Sequence, residues 1–480
     1  MKKHCSVTRL LSGVAFVLAL AAVPLCSAQT ESIADASQPK LTQPSAPEPT
    51  AAQPNTADLA SRIDDLEKQL IALRGQLANQ KAETPTPTAV AAAADAPAPP
   101  AAAPLVVADQ APAAPAAPTL AGLLGPTTLS GFVDVYYGYN SNQPINRTTQ
   151  FRNFDINSGQ FGLNMIELVA DKAPDAAASR VGYHVALGFG QAVNIMNSGE
   201  AGQYATESNF DQYLKEGYLE YLAPIGKGLQ INVGKFVTPA GAEVIETKDN
   251  FNYSRGLLFS LAIPYFHFGA SAKYAFNSKV ALTGYLVNGW NNSIDNNAGK
   301  TTGFSLAITP NSKFSFYQNY LVGPEQFNND TDFRHIFDTV VGFNPTSKLS
   351  FLANFDYGHD DVPGAITADP LAVSGVWWSG IAGYVKYAPS DKWYWAVRGE
   401  YYNDHNGFTT GTIPGENHLS EFTFTLQRML ASKVMSRLEY RYDHSDQDVF
   451  PYRANQFGPI DHQHTVTIGL VYAFSSADAK

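Results

Sequence analysis

The residues with most chemistry to offer are charges set at regular spacing. In Val434 to His444, Met435, Arg437, Glu439, Arg441 and Asp443 fall on one face, while Val434, Leu438, Tyr440 and Tyr442 share the other. Arg398 and Glu400 alternate in the same way with Trp393, Trp395, Val397 and Tyr401. A further set lies in the connection 237–265, VTPAGAEVIETKDNFNYSRGLLFSLAIPY. There Glu243, Glu246, Lys248, Asp249 and Arg255 stand beside the apolar run from Gly256 to Ile263. Ser254, His267 and Glu243 would suit a nucleophile, a base and its orienting group, but no nucleophile elbow or metal-site motif surrounds them. No catalytic residue is assigned, and the chain is not read as an enzyme. His462 and His464 could place two imidazoles on one strand face, yet no third ligand is within sequence reach. The run His359-Asp360-Asp361 could collect a divalent cation, but an acidic solvated loop is the plainer reading. Neither a metal nor a cofactor is expected.

Charges at period two require strands to position them. The segment from His464 to Phe474 puts Val466, Ile468, Leu470, Tyr472 and Phe474 on one face and Thr465, Thr467, Gly469, Val471 and Ala473 on the other. Segments of this design recur back to Thr128, each near the roughly 10 residues a tilted strand needs to cross a bilayer. They are read at 128–140, 160–171, 180–193, 211–223, 229–237, 266–276, 280–290, 302–309, 314–322, 333–344, 349–358, 376–387, 393–404, 418–430, 434–444 and 464–474. The expected fold is therefore all-β, a transmembrane antiparallel barrel of about 16 strands, with 14 or 18 as the neighbouring counts. Tight turns at Asn277-Ser-Lys279, Asn311-Ser-Lys313, Thr346-Ser-Lys348, Ser390-Asp-Lys392 and Ala431-Ser-Lys433 alternate with long polar loops. Charges facing lipid at mid-membrane would cost several kcal/mol each, so they face inward. At this strand number a polar interior encloses water. The apolar stretch of 237–265 has no reason to lie outside the cell, so this third long connection is expected to fold into the lumen. Two further short strands there are the alternative.

Before the barrel, residues 1–28 read as a secretory signal, with Lys2, Lys3 and Arg9 ahead of an apolar run that ends at Cys26-Ser-Ala28. Lipidation at Cys26 is the competing reading. Cys5 and Cys26 both leave with the signal, so no disulfide follows. Residues 29–56 are expected to be disordered. In 57–83, Leu59, Ile63, Leu66, Leu70, Leu73 and Leu77 follow a heptad seam, with Arg62 and Glu67 placed for an interhelical pair. A homotrimer is expected, with a dimer as the alternative. Residues 84–125 form an Ala/Pro linker, a stiff periplasmic spacer that would bring the stalk near peptidoglycan. The barrel occupies 126–474, and 475–480 are a short tail. The formal net charge of -11, from 32 basic and 43 acidic residues, excludes a nucleic-acid partner.

Three runs carry a family resemblance: Gly234-Lys235-Phe236-Val-Thr238-Pro-Ala-Gly241-Ala-Glu243, Asn252-Tyr-Ser-Arg255 and Pro264-Tyr-Phe-His267-Phe-Gly269. In these the chain resembles the putative β-barrel porin-2 family of bacterial outer-membrane proteins over most of Ser130 to Phe474. Its last strand resembles the signal read by the barrel-assembly machinery, here followed by six further residues, Ser475 to Lys480. The resemblance implies a porin-like barrel embedded in outer-membrane lipid, whose third loop narrows the lumen as it does in sixteen-stranded porins generally. Small polar solutes or ions would then diffuse passively past Lys235, Glu243, Glu246, Arg255 and His267, with Arg398, Glu400, Arg437, Glu439 and Arg441 on the wall. Arg255→Glu is expected to shift the reversal potential towards cations. The alternative function is a tether between outer membrane and cell wall, with the barrel as its anchor.

Overall fold

The computed structural model describes residues 125–198, 211–361, 375–412, 415–453 and 458–479. The expected signal, coiled coil and linker lie outside the described residues. Sixteen antiparallel strands close on themselves, each paired with its neighbours in sequence and the last with the first. In chain order they are β1 (Thr128–Asn140), β2 (Gln160–Lys172), β3 (Val181–Phe189), β4 (Leu214–Ala223), β5 (Leu229–Val237), β6 (Phe266–Ala275), β7 (Val280–Val287) and β8 (Thr301–Asn311). The second half comprises β9 (Phe314–Pro324), β10 (Phe333–Phe343), β11 (Leu349–Asp360), β12 (Val376–Ser390), β13 (Trp393–Asp404), β14 (Asn417–Ala431), β15 (Val434–Ser445) and β16 (His462–Ser475). Closure pairs Gly131 with Phe474 and Asn140 with Thr465. No strand edge is then left to satisfy in lipid.

Side-chain alternation fixes which face is which. Leu438, Ile468, Phe422 and Trp395 stay exposed on the outer wall, while Arg398, Arg437, Glu439 and Arg441 are buried inside it. The short turns hold their shape by capping themselves. Asn277 Oδ1 accepts from the backbone N–H groups of Lys279 and Val280 at 2.8 and 3.0 Å, and Asn311 does the same for Lys313 and Phe314. Thr346 Oγ1 plays this part for Lys348 and Leu349. These side-chain turns explain why Asn or Thr precedes Ser-Lys at these three of the five tight turns.

Two features depart from the period-two reading. The strand expected to run to 193 ends at Phe189, and Gly190 (φ +116°) turns the chain into helix α1, Gln191–Ser198. Ala192, Val193 and Met196 of α1 are buried, so this apolar run packs against the barrel without extending it. The expected start at 211 moves to Leu214, and the β3–β4 register shifts between Ala186 and Leu187. In 238–265 the only regular pieces are a 3-10 turn, Thr247–Asp249, and a π-helical turn, Leu258–Ala262. The two extra strands considered there do not form.

Candidate functional site: the third loop inside the lumen

A loop without regular structure carries peptide groups that need partners once it leaves water. Here the charged inner wall supplies them almost peptide by peptide. Arg437 donates to the carbonyls of Thr247 (2.6 Å), Asn250 (2.9 Å) and Asn252 (2.9 Å). Glu439 accepts from the N–H groups of Tyr253 (2.5 Å) and Ser254 (2.9 Å). Arg398 donates to the Ser254 carbonyl and Arg441 to that of Arg255, both at 2.6 Å. Glu243 accepts from Gly256 N at 2.6 Å, and Glu400 from Leu257 N. Gly256 is required for that approach, since a Cβ there would lie 2.1 Å from Glu400 Oε1.

Behind the loop the charges form a chain of alternating sign. Glu243 meets Arg398 at 2.7 Å, and Arg398 meets Glu421 at 2.8 Å. Glu421 lies 3.5 Å from Arg441, which meets Asp443 at 2.6 Å. Asp443 approaches Arg152 at 3.9 Å, and Arg152 holds Asp155 at 2.9 Å. Buried charges are tolerated only when paired and hydrogen-bonded in this way. The loop is also tied across the barrel. Tyr253 Oη donates to Asp134 on β1, Asn319 on β9 to the Pro239 carbonyl, and Trp378 on β12 to the Ala262 carbonyl, at 2.8, 3.0 and 3.1 Å. On β16, Gly469 leaves space for the Tyr253 ring, 2.2 Å from where a Cβ would stand.

Nine of the ten expected pore-lining residues are buried in this arrangement, all but Glu246. Arg398, Glu400, Arg437, Glu439 and Arg441 are buried beneath the loop, and Glu243 with them. Arg255 is 1 % exposed, donates to Tyr253 O and Ile245 O, and lies 5.1 Å from the Phe154 ring, knotting the loop from within. Lys235 is held by Asp211 and Asn197 at 2.7 Å each. His267 is buried between the Gly289 carbonyl (3.0 Å) and Thr238 Oγ1 (3.2 Å). The imagined triad does not assemble either: Ser254 Oγ faces Arg398, while His267 and Glu243 have other partners.

Glu246 is different. It pairs with Lys215 at the edge of a cavity of about 450 Å³ between the loop and the short-turn rim. Glu167, His184, Lys215, Glu216, Glu246 and Lys248 line its loop end, and Lys433, Ser475 and Asp478 the rim. His184 faces Asp171 at 2.9 Å and Glu216 at 3.6 Å, and Lys215 meets Glu167 at 2.5 Å. Sequence reading missed this cluster because Lys215 and Glu216 are adjacent, which period two forbids for one face. The β3–β4 bulge brings both inside. Across the lumen the inward side chains of β5 to β9 include neutral Asn232, Thr283, Tyr285 and Ser305, all half-buried, and Tyr317, 38 % exposed, with one exposed charge, Lys273, opposite Thr283.

The histidine motifs also resolve. His462 and His464 sit 5.6 Å apart by ring centroids, with His464 Nδ1 at 2.8 Å from Tyr440 Oη and His462 Nδ1 at 2.6 Å from Asp461. Asp360 turns inward to Arg334 at 2.6 Å, away from His359 and Asp361.

No curated protein matches the chain. Among solved structures, the outer-membrane-expressed OmpT of Vibrio cholerae is 13% identical, over 72% of this chain and 97% of its own, with a TM-score of 0.47. The anion-selective porin from Comamonas acidovorans is 9% identical over 72% and 99%, with a TM-score of 0.46. The outer membrane channel DcaP of Acinetobacter baumannii is 10% identical over 72% and 97%, at 0.45. The sequence profile of the putative beta-barrel porin-2, OmpL-like family matches residues 126–474, the whole strand region apart from its last residue, and the chain belongs to this family of porin-like outer-membrane barrels.

Proposed function

We propose that the barrel passes small polar solutes and ions by passive diffusion, through the part of the lumen that the third loop leaves open. The observation carrying this reading is the loop's attachment. Its backbone is fixed by wall charges on β13 and β15, while a charged cavity of about 450 Å³ remains below it. On this reading the solute meets Glu246 and Lys248 on one side, with buried Lys215 and Glu216 behind them, and Tyr285, Tyr317 and Lys273 on the other. Acidic and basic groups paired on one side leave little net charge at the path, which gives no strong preference for one ion sign and suits small polar solutes. Buried Arg398 and Arg437 fix the width, and the partly exposed Glu246 and Lys248 set the field. No catalytic step is assigned.

The heptads at 59–77 support a homotrimer, with the Ala/Pro linker 84–125 as a periplasmic spacer that reaches peptidoglycan. The last strand is proposed as the element recognised by the barrel-assembly machinery. Planar-bilayer recording tests the channel. Discrete ohmic steps whose reversal potential responds to Lys248→Glu support it, and a reversal potential indifferent to that change argues against this path.

A further inference from the structure

We propose that His335, His359 and Asp361 form a site for one divalent transition-metal ion, zinc by preference, on the outer rim of the barrel where β10 meets β11. His335 and His359 are directly opposite one another in the antiparallel register, and their ring centroids are 6.1 Å apart. Directly opposed side chains on neighbouring strands start about 4.5–5.5 Å apart at Cβ, a spacing from which two imidazoles can converge on one ion. Asp361 completes the set. One ligand atom from each of the three residues lies within 4.8 Å of the others, and His359 Nδ1 is 3.5 Å from Asp361 Oδ1. Tetrahedral ligands at about 2.1 Å from zinc stand about 3.4 Å apart. Closure therefore needs side-chain shifts of about an ångström, and at 34 % and 40 % exposure His359 and Asp361 are free to make them.

A second observation concerns His335. Its Nδ1 lies 2.8 Å from Tyr320 Oη on β9, leaving Nε2 as the available ligand atom. With metal on Nε2, the Nδ1 proton is donated to the tyrosine oxygen. Metal-bound histidines are oriented in this manner by a partner on the other nitrogen. Two imidazoles and one carboxylate select zinc, copper or nickel over calcium or magnesium, which require all-oxygen sets. Sequence spacing alone grouped His359 with Asp360 and Asp361, but Asp360 is committed to Arg334 inside the barrel. The strand register brings His335 into its place. The site faces outward, since Phe333 and Phe337 on the same face of β10 are exposed. It is separate from the lumen and from the proposed solute path.

The test uses the untagged protein, folded in detergent and stripped with chelator, then titrated with Co²⁺ under visible absorption and competed with Zn²⁺. The expected result is a ligand-field band that saturates at one Co²⁺ per chain and is abolished by one equivalent of Zn²⁺. His335→Asn and His359→Asn each weaken uptake at least tenfold, and the double variant abolishes the band. Tyr320→Phe, a positioning change, weakens affinity about tenfold while the band remains. The pair His462→Asn and His464→Asn leaves uptake unchanged. No band in the wild type overturns the site whatever the variants do, and equal uptake by the His335→Asn, His359→Asn double variant overturns its location.

Discussion

Arg437→Ala should release the third loop from the wall. The guanidinium donates to three loop carbonyls within 2.6–2.9 Å and to Gln427 at 2.9 Å, with no carboxylate of its own among the described residues. Hydrogen bonds to a charged group contribute about 1.5–3 kcal/mol each. Water refilling the vacated space recovers part of that, leaving a net loss of docking free energy of about 3–5 kcal/mol. At 1.36 kcal/mol per factor of ten, the ratio of undocked to docked loop rises roughly 1,000-fold. The strands are untouched, so the barrel should still fold and remain heat-modifiable. Single-channel recordings should show larger and noisier conductance, and limited proteolysis should reach 247–257, which the wild type protects. Arg428→Ala serves as a control, because Arg428 lies outside the wall against Trp393. Unchanged conductance and unchanged proteolysis in Arg437→Ala would refute the idea that wall charges hold the loop in place.

Other perturbations separate field from width. Lys248→Glu reverses a charge with a partly exposed side chain on the cavity wall and should move the reversal potential towards cations, with the shift shrinking as salt approaches 1 M. Arg255→Glu buries a carboxylate against the Phe154 ring and the carbonyls of Tyr253 and Ile245, so its first effect should be loop release and channel noise before any clean change in selectivity. Gly256→Val drives side-chain atoms into Glu400 and should enlarge conductance as Arg437→Ala does, read in the same recordings. Leu438→Arg, on the lipid face of β15, should cost about 2–4 kcal/mol of barrel stability, seen as a lower urea midpoint of folding.

Strand positions were legible because one physical rule, lipid on one side and water on the other, repeats along the whole chain. Every expected strand from 128–140 to 464–474 has its counterpart, since a slip of one residue would turn Leu438 inward and Arg437 into lipid. The rule fails where the environment stops being two-sided. The start of helix α1, Gln191 to Val193, read as the end of a strand because Ala192 and Val193 are apolar, and only the turn at Gly190 shows that they fold back. At the site, sequence reading expected the third loop inside and took Arg398, Glu400, Arg437, Glu439 and Arg441 as pore-lining residues on the wall. It could not show that these charges are used up on loop peptide groups, because backbone partners leave no pattern in side-chain spacing. Lys215 and Glu216 escaped notice because a bulge, invisible to a period-two reading, turns both inward. Asp360 and Asp361 look equivalent in sequence and face opposite sides of one wall, the first paired with Arg334 and the second beside His359.

The account rests most directly on the lumen staying open beside the loop. Conductance of the folded, heat-modifiable wild type across a planar bilayer, under a salt gradient, decides it. Steady ohmic steps, grouped in threes for a trimer, with weak ion preference are the predicted result. Electrical silence from demonstrably folded protein would contradict it, and would make the barrel a closed anchor for its N-terminal segment.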